Sequence, residues 1–212
     1  MTAPLVGLDL DNTLARFDVV LLEAGEELGC LPRGFRGGKR AVRDHIRSLP
    51  DGERRWQEVQ ALIYGRRMHR AEVYPGVADF LLHCRTAGPA LVVVSHKTAR
   101  ARRDPDTDLR RAALDWLAAN GLIDTAGSPL TRRDVYFEDT RQAKLRRIER
   151  LGCTHFVDDL AEVFADPGFP AGTARLLFAP GRHDAPTAPV DAVFADWREI
   201  LGHFKGRGHV SD

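Results

Sequence analysis

Two aspartates one residue apart, in the run Asp9-Leu10-Asp11-Asn12-Thr13-Leu14, directly follow the short apolar stretch Leu5-Val6-Gly7-Leu8. Side chains two apart in an extended segment point to the same side, so Asp9 and Asp11 face one site. Two carboxylates held that close repel each other unless a cation or a shared proton lies between them. A single Asp at a strand end reads as a solvated turn residue. A pair with Thr13 behind a buried strand asks instead for a cation or for proton-transfer chemistry. Farther along, Ser95 follows the apolar run 91–94, and Asp158-Asp159 follow Phe156-Val157. Lys144 falls among Leu145, Ile148 and Leu151, so on a helix its stem runs inward, where an ammonium requires a paired charge. Asp9 is a candidate partner, and a lysine snorkelling past a helix edge is the plainer alternative.

The elements that must carry these residues follow from periodicity. Apolar runs at 5–8, 91–94, 135–137, 155–157 and 174–178 are short and continuous, as strands buried on both faces are. Between them, apolar residues recur at helical spacing over 17–28, 77–84, 109–117, 140–151 and 193–204, with glycine stops at Gly29, Gly88 and Gly121. Residues 100–106 read as a charged loop. Strands alternating with amphipathic helices predict an α/β protein, a three-layer α/β/α Rossmann-like parallel sheet whose ligand site lies beyond the carboxyl ends of its strands. Asp9, Ser95 and Asp158 all stand at that edge. A glycine-rich basic loop at 31–38 and two further helices near 41–48 and 53–64 interrupt the alternation. Residues 15–74 are therefore expected to form a small helical cap inserted after strand one, with 1–14 and 75–212 as the core.

In its ordered motifs the sequence resembles the haloacid dehalogenase-like hydrolase superfamily. Asp9-x-Asp11-x-Thr13 follows strand one and Ser95 ends the next sheet strand. Lys144 lies near the start of the helix before strand four, and Asp158-Asp159 end that strand. The resemblance spans residues 5–178. It implies a phosphatase in which Asp9 forms an aspartyl-phosphate, while Asp11 protonates the leaving oxygen and then activates water. Ser95 would donate a hydrogen bond to a phosphoryl oxygen, and Lys144 would complete the catalytic set beside Asp9. It also implies Mg²⁺, held by Asp9, the Asp11 backbone carbonyl and Asp158. Dehalogenases of the superfamily lack the second carboxylate, so Asp11 favours phosphate chemistry. The implied activity is hydrolysis of a small soluble phosphomonoester. Phosphoryl transfer to a metabolite, as in the family's mutases, uses the same intermediate and stays open. So does a non-catalytic module that binds anions or nucleic acid.

Composition bounds the rest. The 212 residues are 43% hydrophobic and 29% charged, the balance of a globular chain long enough to bury its own core. No apolar run approaches the roughly 20 residues of a membrane span, and no basic-then-apolar leader is visible. Cys30, Cys84 and Cys153 cannot all pair and lack metal-ligand spacing, so reduced thiols and a cytoplasmic location are expected. Residues 31–70 hold eleven Lys or Arg against four Asp or Glu, or +7, so the remainder of this net +1 chain carries −6. On that segment Arg33, Arg36, Lys39 and Arg40 are candidates to contact a second anionic or polar group of the substrate, with a solvated surface as the alternative. His96 and Lys97 are candidate substrate contacts or solvated loop residues. Asp159 is a supporting residue that could assist the metal, pair with Lys144 or cap a helix. The expected partner is a small phosphorylated metabolite, with no membrane and with nucleic acid disfavoured. Neither the substrate's identity nor the oligomeric state is legible.

Overall fold

Continuous apolar strands need neighbours on both edges and helices on both faces. The computed structural model, which describes residues 4–181 and 188–206, supplies both. The chain begins with β1 (Leu5–Leu8), β2 (Ala15–Arg16), α1 (Asp18–Glu27), α2 (Lys39–Ser48), α3 (Gly52–Tyr64) and β3 (Glu72–Val73). It continues through α4 (Val77–Thr86), β4 (Ala90–His96), β5 (Arg100–Ala101), β6 (Asp104–Asp108) and α5 (Leu109–Ala119). It closes with β7 (Val135–Glu138), α6 (Arg141–Leu151), β8 (His155–Asp158), α7 (Ala161–Phe164), β9 (Ala174–Phe178), β10 (Ala192–Phe194) and α8 (Trp197–Gly206). Six strands form one sheet in the order β10-β9-β8-β1-β4-β7, and every pair in it is parallel.

Alternation along β4 divides the interior into two layers. Leu91 and Val93 join Val77, Phe80 and Leu81 of α4, Trp116 and Leu117 of α5, and Trp197 and Ile200 of α8. Val92 and Val94 join Leu145 and Ile148 of α6 with Val163 and Phe164 of α7. The three-layer α/β/α architecture read from the sequence is the observed one. Cys84 and Cys153 lie in these layers, where burial pushes their thiols up to about 12 and about 11, in keeping with packed core residues.

Between β1 and α4 the chain makes the three helices α1 to α3. Its two ends are joined by an antiparallel ribbon in which Ala15 faces Val73 and Arg16 faces Glu72. Two tryptophans fasten the neighbouring stems: Trp197 Nε1 donates to Thr13 O at 3.0 Å and Trp116 Nε1 to Ala71 O at 2.8 Å.

Two expectations are corrected. Residues 100–106 are not simply a loop, because β5 and β6 pair as an antiparallel hairpin. Residues 192–194 are not the start of the last helix but a sixth strand, with Phe194 beside Phe178 of β9. The physical reason is Asp196, whose Oδ1 accepts the Arg198 and Glu199 amides at 2.8 and 3.0 Å and so starts α8 only beyond it.

Candidate active site

Strand register brings three chain ends together. Leu8 of β1 lies beside Val93 of β4 and Val157 of β8, so Asp9, Ser95 and Asp158 emerge on one edge. The Asp9 amide donates to Val157 O at 2.9 Å, extending the pairing one residue past β1. The chain then turns sharply. Asn12 adopts a φ of 62°, a left-handed conformation that Asn tolerates better than most residues. The Leu14 and Ala15 amides donate back to Leu10 O at 3.0 and 2.9 Å. This turn presents both Asp9 and Asp11 to one cavity of about 330 Å³, which Ser95, Lys144 and Asp159 also line.

Helix α6 delivers Lys144. Thr140 Oγ1 accepts the Ala143 amide at 3.1 Å and fixes the start of the helix. One turn in, Lys144 is only 2% exposed. Its Nζ donates to Asp9 Oδ1 at 2.6 Å and to Asp158 Oδ2 at 2.7 Å. The inward lysine thus has Asp9 as its partner and Asp158 as a second. Burial alone would lower the Lys144 pKa, but Asp158 and Asp9 outweigh it and hold the ammonium above its ordinary value.

Of the two alternatives for Lys97, a solvated loop residue or a substrate contact, the solvated one is not observed, since Lys97 lines the cavity wall. It is buried, donates to Asp11 Oδ2 at 2.7 Å, and sits 4.8 Å from the centre of the Tyr64 ring. The other Asp11 oxygen, Oδ1, is buried and has no hydrogen-bond partner among the described residues. Of the basic segment, Lys39 reaches the cavity and lies 4.0 Å from Asp159 Oδ2. Burial works against its charge, but Tyr64, Asp159, Asp11 and Asp9 together raise its pKa. Arg36 and Arg40 are exposed and do not line the cavity; Arg40 lies 3.7 Å from Asp44 instead. Arg33 lines a separate depression with Glu23, Glu26 and Glu27. His96 is exposed at the cavity wall, its Nε2 3.1 Å from Asp139 O.

Asp9, Asp158 and Asp159 each bring a carboxylate oxygen within 4.8 Å of the others. Burial pushes Asp158 and Asp159 up, opposed by Lys144 at the first and by Lys39 at the second. Asp11 lies beside this cluster, held by Lys97, while Lys144 reaches Asp9 and Asp158 and Lys39 faces Asp159. Three carboxylates offering hard oxygen donors this close together fit a divalent cation such as Mg²⁺. Asp159, for which assisting the metal was one of three alternatives, stands in this cluster. The Asp11 carboxylate does not, which leaves its backbone carbonyl as the group Asp11 would offer a metal.

Among the lining residues that escaped the sequence reading are Gln60 and Tyr64 of α3, and Arg141 at the start of α6. Arg141 had a usable signal, since it precedes Lys144 by three residues and shares its helix face. Tyr64 and Gln60 had none, because their helix belongs to a segment whose placement over the sheet edge depends on tertiary packing.

No family model matches the sequence, and no curated protein matches it. Solved structures do match. A HAD family hydrolase from Deinococcus radiodurans R1, with bound phosphate and sodium, is 16% identical with a TM-score of 0.59, over 98% of both chains. YfnB of Bacillus subtilis, bound to magnesium, is 12% identical with a TM-score of 0.63, over 96% of this chain and 99% of that one. A predicted phosphoglycolate phosphatase from Haemophilus somnus 129pt is 16% identical with a TM-score of 0.55, over 96% and 99%. At these identities the likeness is one of fold. The chain has the fold of the haloacid dehalogenase-like hydrolases.

Proposed function

We propose that the protein is a Mg²⁺-dependent phosphatase that hydrolyses a small phosphomonoester through an aspartyl-phosphate at Asp9. The observation that carries this reading is the shared cavity of Asp9 and Asp11, with Lys144 bridging Asp9 to Asp158. Asp9, Asp158 and the Asp11 carbonyl would hold the metal, with Asp159 beside them. Bound there, the metal would offset the repulsion between an anionic nucleophile and an anionic substrate.

Each residue then has a physical task. An Asp9 carboxylate oxygen forms the bond to phosphorus as the ester P–O bond breaks. Asp11 gives a proton to the departing oxygen. In the second half, Asp11 takes a proton from the attacking water, the Asp9–phosphorus bond breaks and phosphate leaves. Lys97 holds Asp11 Oδ2, so Oδ1 is the oxygen left to carry this proton. A buried carboxylate oxygen with no partner costs roughly 1–3 kcal/mol, and a proton-carrying role accounts for keeping it. Ser95, 1% exposed at the carboxyl edge, would donate to a phosphoryl oxygen.

The test is direct. Purified protein with Mg²⁺ is expected to release phosphate from p-nitrophenyl phosphate, to stop on chelation, and to lose turnover in Asp9→Asn. Beryllium fluoride with Mg²⁺ is expected to inhibit the wild type as a mimic of the phosphoenzyme. Absence of metal-dependent turnover across a broad panel of phosphoesters would overturn the reading.

A further inference from the structure

We infer that this cavity selects phosphomonoesters whose leaving group carries a second anionic group, a carboxylate or another phosphate, and that Arg141 binds it. The inference rests on the phosphatase reading. Lys39, Lys97, Lys144 and Arg141 line the cavity. Lys144 is held by Asp9 and Asp158, Lys97 by Asp11, and Lys39 faces Asp159. Arg141 is different: it is half-buried and has no ion pair or hydrogen bond among the described residues. A guanidinium in a site wall with no acid to meet is a donor fork awaiting an acceptor. Its geometry matches carboxylate and phosphate oxygens two at a time.

Placement supports the assignment. Arg141 and Lys144 are three residues apart on α6, so they share a face about one turn, or roughly 4.5 Å of axial rise, from each other. Lys144 grips the nucleophile, and Arg141, one turn nearer the helix N-terminus, lines the same cavity. One small ligand in that cavity can therefore meet both. Helical side chains also lean toward the helix N-terminus, which carries Arg141 outward past the sheet edge. The Gln60 side chain, across the cavity on α3, also makes no hydrogen bond among the described residues and adds an amide donor. A volume of about 330 Å³ is at the lower end for ligand sites and suits a small metabolite. The basic loop does not compete, since Arg33, Arg36 and Arg40 do not line this cavity.

The experiment compares phosphoglycolate (a carboxylate), propane-1,3-diol bisphosphate (a second phosphate) and 2-hydroxyethyl phosphate (no second charge). Wild type is expected to favour at least one acidic ester over the neutral one in kcat/KM by roughly 10- to 100-fold. The arm that shows the preference identifies the group. Arg141→Gln is expected to bring that ratio near one, chiefly through KM, while Arg141→Lys keeps an intermediate ratio. A binding arm needs no turnover: phosphoglycolate and the bisphosphate are titrated into Asp9→Asn and into Asp9→Asn/Arg141→Gln. At least one is expected to bind the double variant at least tenfold more weakly. Wild-type turnover without preference, or an equal loss on all three esters in Arg141→Gln, would overturn the inference and leave the phosphatase reading standing. No turnover of any ester would overturn the phosphatase reading, and equal affinities in the binding arm would then overturn this one separately.

Discussion

Lys144 stands where two buried carboxylates would otherwise face each other. Its amine is within 2.7 Å of both Asp9 and Asp158, and Asp158 is fully buried. Removing one member of such a group leaves an uncompensated charge in a medium that solvates it poorly, at a cost of about 3–5 kcal/mol. Lys144→Met is therefore expected to unfold at clearly lower denaturant in the presence of a chelator. Saturating Mg²⁺ is expected to restore part of the loss, because a cation at the same carboxylates replaces some of the missing positive charge. Equal stability of variant and wild type in chelator would contradict the pairing. Lys144 was legible because helical periodicity showed which way its stem runs. Lys97 was not, because it follows a strand end, where no periodicity marks an inward face.

Among the elements, β1 is the one on which the site hangs, since Asp9 directly follows it and β4 and β8 flank it. Its packing is set by Gly7. A Cβ there would lie 2.5 Å from Phe156 Cδ2 and 3.1 Å from Cys153 Sγ, both fixed by the layer beneath. The Phe156 ring also lies 5.1 Å from Lys144 Nζ. Gly7→Ala is expected to cost about 1–3 kcal/mol by overpacking, measured by denaturant unfolding. A lower kcat should accompany it as the displaced ring disturbs Lys144. A stable variant with full activity would show that the ring can yield without consequence. Strands and helices with strong periodicity were legible to within a few residues. Strand β10 was not, because three apolar residues beside a helical stripe merge with it until a cap separates them.

Over the whole molecule, the basic segment proves to be laced with local acids. Arg67 pairs with Glu27, Arg70 with Glu23, Arg47 with Glu53, and Arg54 with Asp51 and Glu58. Across segments, Arg66 meets Asp104 of β6. Most of these pairs are exposed and each contributes little to stability, but Glu23, Glu27 and Asp104 lie outside the segment and offset part of the field that +7 would project. That weighs against a nucleic-acid surface. It also separates the loop's residues by function. Lys39→Met is expected to raise KM for an anionic phosphomonoester roughly tenfold, on the order of one lost charged contact. Arg36→Gln and Arg40→Gln are each expected to shift it less than about twofold, since an exposed charge outside the cavity is screened by salt. Equal effects at all three positions would mean that the segment acts through its general charge.

What the residues alone decided is the part that repeats over short distances along the chain. Apolar runs set the strands, helical stripes set the layers, and Asp9, Asp11, Ser95 and Asp158 were legible because each sits where a buried run stops. Burial demands a local pattern, and a local pattern can be read. Only the tertiary structure decided which charges meet. Lys97 reaches Asp11 across 86 positions and Lys144 reaches Asp9 across 135. It also decided that Lys39 enters the cavity while Arg36 and Arg40 stay outside, and that Arg141 has no partner among the described residues. Side-chain pairing at such separations depends on strand order and on how the inserted helices settle over the sheet edge. Neither leaves a periodic trace, because a charge looks the same in sequence whether packing turns it toward a carboxylate or toward water.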